Sequence, residues 1–156
     1  MIRKYKSADE QKIIDLWLEA SLQAHPFVAA DYWREMQASV RDYYLPNTDT
    51  FVFEDKHKIK GFISVLDGSY IGALFVAPQH QGHKTGSKLL KFVQKRYPLL
   101  SLNVFVKNPR AINFYQRNGF KIIAEQTDPS TTEAELRMSW GLGCKSGFAK
   151  RYYADS

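Results

Sequence analysis

Apolar residues recur at helical spacing in two early segments and at strand spacing through most of the remaining chain. Ile2 to Tyr5 reads as a short strand. Ser7-Ala8-Asp9-Glu10 then reads as a capping box, with Ser7 as N-cap and Glu10 reaching back to it. Ile13, Ile14, Trp17, Leu18 and Leu22 follow at helical intervals, which predicts a helix with one face inward. Pro26 interrupts it. A second helix is expected over about Ala29 to Tyr44 with Trp33, Met36 and Val40 inward, closed by Leu45-Pro46-Asn47.

From Phe51 the period shortens. Phe51 to Phe53 and Ile59 to Leu66 read as hairpin strands joined by a turn at Asp55-Lys56-His57-Lys58. After a second turn at Asp67-Gly68-Ser69 comes a strand over Tyr70 to Val76, giving an antiparallel meander. The order then changes to a loop and a helix at about Thr85 to Tyr97, then a strand at Leu100 to Val106. A helix at about Pro109 to Asn118 and a strand at Phe120 to Gln126 complete this part. Strand, helix, strand is the crossover that makes two strands parallel. A polar loop at Asp128 to Thr132 leads to a last strand at Glu135 to Trp140. The expected fold class is α+β (mixed α/β): a mostly antiparallel central sheet with one parallel βαβ unit and flanking helices. No repeat or linker divides residues 1 to 140, so they form one expected domain, and 141–156 reads as a loose basic tail.

Composition narrows the function classes. The 156 residues suit one core, and 44% hydrophobic content argues against extended disorder. No run has the length of a membrane span or of a signal peptide, and the single cysteine, Cys144, makes no internal disulfide. Together these favour a cytoplasmic setting without a membrane partner. The formal charge of +6 points to an anionic partner: nucleic acid, an acidic surface or a phosphate-rich small molecule. A nucleic-acid partner is disfavoured, because no helix-turn-helix or RNP-like pattern appears. His80 and His83 have no third ligand at metal spacing, so no metal is expected.

Two segments carry chemistry. In the first, an apolar strand (Leu74, Phe75, Val76) runs through a glycine-containing turn into a helix start, over Gln81, Gly82, His83, Lys84, Thr85, Gly86 and Ser87. A helix N-terminus presents unpaired N–H groups to a phosphate, and glycines let the backbone come close. In the second, Asn108 and Pro109 open a helix, Ala111, Phe114 and Tyr115 follow on adjacent faces, and Gly119 suits the left-handed position past its end. Each segment also reads as ordinary core architecture.

Together the two resemble the signature of GNAT-type N-acetyltransferases. Gln81 and Gly86 match the ends of that family's phosphate loop, and Asn108, Ala111, Phe114, Tyr115, Gly119 and Phe120 match the second motif. The chain is most similar to small bacterial protein-lysine or amine acetyltransferases, and His25-Pro26-Phe27 and Tyr32-Trp33-Arg34 add to the likeness. One departure is plain: Lys84 stands where the family's middle glycine belongs. At positive φ a lysine there costs on the order of 1 kcal/mol, which a phosphate contact would offset.

The resemblance implies acetyl-CoA as co-substrate, no metal, and a primary amine as acceptor (protein lysine, N-terminus or small amine). It implies that Tyr115 gives a proton to the leaving thiolate and that a backbone N–H near Val76 holds the acetyl carbonyl. Residues 81–87 would wrap the pyrophosphate, and Asn108 and Asn113 belong to the implied cofactor site. Phe27, Trp33 and Tyr70 are the expected acceptor walls, suited to an alkylamine stem. The proton acceptor is open among Asp67, Tyr70, His25 and Glu35. The expected state is monomer or homodimer. The alternative is a catalytically weak CoA-binding regulatory or interaction module, which Lys84 favours.

Overall fold

The structure, a computed structural model, describes residues 1–141. Strands β1 (Ile2–Lys4), β2 (Thr48–Asp55), β3 (Lys58–Leu66), β4 (Tyr70–Val76), β5 (Leu99–Phe105), β6 (Lys121–Thr127) and β7 (Ala134–Gly141) form one sheet. Its order is β1-β2-β3-β4-β5-β7-β6. Every neighbouring pair is antiparallel except β4 and β5, which the crossover helix α3 (Thr85–Gln94) makes parallel. Helices α1 (Glu10–Ala24) and α2 (Ala30–Ser39) cover one face; α3 and α4 (Pro109–Arg117) cover the other.

Each face has its own core. Ile13, Ile14 and Trp17 of α1 meet Val52, Phe62 and Ala73 on one side. Leu89, Leu90 and Val93 of α3, all fully buried, meet Ile63, Val65 and Leu102 on the other. The β2–β3 turn places Lys56 and His57 at φ 51° and 63°, the mirror-image turn whose twist fits a two-residue hairpin.

The entry to α1 differs from the expected Ser7/Glu10 box. Ser7–Asp9 is a short 3-10 turn, and the capping carboxylate is Asp9, which accepts from the Lys6 N–H at 2.8 Å. Arg3 claims that carboxylate at 2.8 Å and also pairs with Glu54, so the tertiary ion pairs fix which acid caps. Expected helix 29–44 also divides: α2 ends at Ser39, Val40–Tyr44 forms a π-helical turn, and Leu45–Asn47 a 3-10 turn. The wider turn carries Tyr44 onto Gly72 of β4. Gly141, expected to begin the tail, instead closes β7 opposite Leu99. Residues 142–156, with Cys144 and the rest of the expected basic tail, lie outside the described residues.

Two features of β4 make the site. Its register with β3 shifts between Ser64 and Val65, leaving Gly72 as the extra residue of a bulge. On the other edge, β4 and β5 share the single pairing Tyr70↔Ser101, extended by the Ser101 N–H donating to the Ser69 carbonyl at 2.8 Å. Beyond it the strands part. Each wall keeps its other partner: β4 remains paired with β3 to Val76 and β5 with β7 to Phe105.

Candidate active site

The parting of β4 and β5 opens a cleft of about 740 Å³. Gly72 to Val76 form one wall and Leu102 to Phe105 the other, with α4 and the α3 entry on one side of the sheet and α1 and α2 on the other. Lys84, Arg110 and Arg117 line it, and no Asp or Glu does among the described residues. Fixed cations without carboxylates make a receptor for an anion.

The loop between β4 and α3 is built to hold its backbone open. Gln81 ties it to two elements, donating from Nε2 to the Val76 carbonyl at 3.2 Å and to Gln23 Oε1 at 3.1 Å. Gly82 lies at φ 88°. Lys84 sits in the left-handed region at φ 64° as N-cap of α3, so the departure noted in the sequence falls at a position that does carry positive φ. The first helical bond runs from the Lys88 N–H to the Lys84 carbonyl, which leaves the amides of the first turn unpaired. A methyl group added at Gly86 would meet Phe114 and Val76 at 3.6 and 3.7 Å, ordinary contact. Packing does not demand glycine there, and the position borders the cleft. Positive charge, open amides and a bare backbone fit a pyrophosphate.

On α4, Asn108 Oδ1 accepts from the Ala111 N–H at 3.2 Å and caps the helix. The helix presents Asn108, Ala111, Phe114 and Tyr115 to the cleft. Tyr115 packs edge-on against Phe114 and Phe120, centroids 5.2 and 5.5 Å apart. Burial pushes its phenol above the usual tyrosine range, and the nearby Tyr70 adds to the effect.

At the other end stand His25 and Trp33, stacked 5.0 Å apart at 30°, with Phe105 edge-on to the imidazole at 5.1 Å. Burial pushes His25 down to about 4, with the Ser21 carbonyl opposing the fall. Of the residues singled out in the sequence, Leu74, Phe75, Val76, Gln81, Gly82, Lys84, Thr85, Gly86, Ser87, Asn108, Tyr115 and Trp33 line the cleft. His83, Asn113, Phe27 and Tyr70 do not. Asn113 is exposed on α4, Phe27 packs behind His25 and Phe105, and Tyr70 marks the point where the strands part. Sequence reasoning passed over Arg110, Arg117, Asn103 and Phe105. The two arginines were visible within the second motif; the β5 residues become site residues only through the parting of the strands.

The comparisons agree with this geometry. Residues 46–122 match the family model described as acetyltransferase (GNAT) domain. The chain is 41% identical over 140 residues to peptidyl-lysine N-acetyltransferase YiaC of Escherichia coli strain K12, covering 90% of this chain and 96% of that protein. It is 29% identical over 122 residues to peptidyl-lysine N-acetyltransferase YjaB of the same strain, covering 78% of this chain and 82% of that one. This chain belongs to the GNAT acetyltransferase family. The solution structure of apo-form YjaB from Escherichia coli superposes with a TM-score of 0.78 at 26% identity, covering 90% of this chain and 96% of that chain. PaiA N-acetyltransferase of Thermoplasma acidophilum, solved with coenzyme A, has a TM-score of 0.74 at 20% identity, covering 90% and 98%, and speaks for the GNAT fold alone.

Proposed function

We propose that this acetyltransferase moves the acetyl group of acetyl-CoA to the side-chain amine of a peptidyl lysine, with Tyr115 as the general acid. The observation that carries the reading is the β4–β5 cleft. It joins a cationic, amide-rich loop, the half-buried Tyr115 phenol and an apolar far end in one continuous space. Two curated relatives named as peptidyl-lysine N-acetyltransferases support lysine as acceptor.

The residues divide the task along the cleft. Gln81 to Ser87 would hold the pyrophosphate, with Lys84, Arg110 and Arg117 supplying charge. Asn108 borders the pantetheine path, and the β5-facing edge of β4 beyond Tyr70 has no strand partner, so its amides are open to the acyl arm. Trp33 walls the acceptor end. Holding both reactants in one slot replaces a bimolecular encounter, and Tyr115 gives its proton to the departing sulfur.

A second reading, a CoA-binding module with little turnover, has Lys84 in its favour, since φ 64° disfavours any side chain there. One experiment separates the two. The wild type should acetylate a lysine peptide at the expense of acetyl-CoA, seen as a 42-Da gain by mass spectrometry, roughly the mass of one acetyl replacing hydrogen. Acetyl-CoA binding without any acetylated product, over a panel of lysine peptides and small amines, would leave the module reading standing.

A further inference from the structure

An amine acceptor reaches the protein mostly as ammonium, since a free lysine titrates near 10.4, and it must lose two protons to form an amide, the first to water before attack and the second as the N–C bond forms. The cleft lining offers no carboxylate among the described residues to receive it. Lys84, Arg110 and Arg117 are cations, and His80 belongs to the short turn before the phosphate loop. His25 stands at the opposite end, at the C-cap of α1. It is 9% exposed and Trp33 is 8% exposed, and both rings line the cleft. His25 Nδ1 and Trp33 Nε1 are buried without a hydrogen-bond partner. Unpartnered buried polar atoms are uncommon in folded proteins, and here two sit on stacked rings bordering the reaction space.

Resting on the acetyl-transfer reading above, we infer that His25 is the proton acceptor: its imidazole receives a hydrogen bond from the acceptor N–H and takes that proton as the new N–C bond forms. The amine nitrogen bonds to the acetyl carbon and the C–S bond breaks. The nitrogen's proton passes to His25 while the Tyr115 proton passes to sulfur. Water then removes the proton from His25 and returns one to Tyr115. A weakly basic imidazole suits this step, because nitrogen bonded to the carbonyl carbon is far more acidic than free ammonium.

The surroundings keep the ring neutral. From α1 it faces the Ser21 carbonyl, from α2 Trp33, from the connecting segment Phe27 and from β5 Phe105. None of these is charged. Lys107, 5.9 Å from the Phe27 centroid, is paired with Glu133 at 3.1 Å.

The test compares wild type, His25→Phe and His25→Gln with acetyl-CoA and a lysine peptide, across pH 6 to 10. Both variants should lose at least about 100-fold in kcat at pH 7, with acetyl-CoA Kd within about twofold. The deficit should narrow as pH rises, because hydroxide, which grows about tenfold per pH unit, can take the nitrogen's proton in place of His25. A kcat within about threefold of wild type, or a deficit constant with pH, overturns the inference. Should His25→Phe fail to fold, His25→Gln carries the comparison. Histidine NMR on the wild type adds an independent arm: a neutral His25 from pH 6 to 9 is expected, and titration above pH 7 overturns it. Failure of the wild type to bind acetyl-CoA is a different result, which removes the acetyl-transfer reading itself.

Discussion

Burial acts in opposite senses on Tyr115 and His25, raising the phenol and lowering the imidazole, and each shift disfavours the charged form. Tyr115→Phe removes one hydroxyl and leaves the ring packed on Phe114 and Phe120. Its kcat should fall about 100-fold or more while acetyl-CoA Kd changes little, measured by thiol release and calorimetry. Equal turnover at saturating substrate would end the donor role. His25 also marks stability. Its folded pKa of about 4 lies below the unfolded value near 6.5, so the unfolded chain binds more protons between the two. Stability is full above about pH 6.5 and is lost as pH falls towards 4, by up to about 1.4 kcal/mol per unit. Urea denaturation of wild type beside His25→Phe should show a steeper loss in the wild type between about pH 6.5 and 4. Lys84→Gly relieves a left-handed lysine and should raise stability by about 1 kcal/mol in the same assay.

Arg3 ties β1 to the entry of α1 through Asp9 and to β2 through Glu54. The guanidinium holds the Asp9 carboxylate below its usual range. Asp9→Asn should therefore cost about 2 kcal/mol near neutral pH, by thermal or urea denaturation. The folded pKa lies below the unfolded value near 3.9, so the difference from wild type is full above about pH 4 and closes as pH falls through the folded value. At the β4 bulge, a Cβ on Gly72 would collide with the Tyr44 hydroxyl, which is buried without a partner. Gly72→Ala should lose about 1–3 kcal/mol in a thermal melt. These two places also show where sequence reading stops. Hydrophobic spacing located the strands and helices, because a buried face repeats at the period of its element. The Asp9 cap, the π-helical turn at 40–44 and the bulge were not legible. Each is set by a partner distant in sequence: Arg3 and Glu54 for the cap, Gly72 for the turn, and β3 for the bulge.

Across the molecule, the order β4-β5-β7-β6 places a parallel pair at the centre of an otherwise antiparallel sheet, and that pair is where the sheet opens. The βαβ unit was readable from the alternation of elements. The insertion of β7 between β5 and β6 was not, because no local pattern encodes strand order. The same limit applied to the site: the phosphate loop and the Asn108–Tyr115 helix were visible as motifs, whereas Asn103 and Phe105 join them only across the parted strands. If the cleft receives acetyl-CoA, binding to the native state alone should stabilise the protein by about 2.7 kcal/mol at a hundredfold excess over Kd, seen as a raised Tm. Whether the cleft is an acetyl-transfer site is decided by titrating acetyl-CoA into the wild type in a calorimeter and then adding a lysine peptide to the same sample. Micromolar binding at one site per chain, followed by heat and thiol release that stop when peptide or acetyl-CoA is exhausted, is the expected result. No acetyl-CoA binding, or binding left intact by reversing charge at both Arg110 and Lys84, would rule that role out.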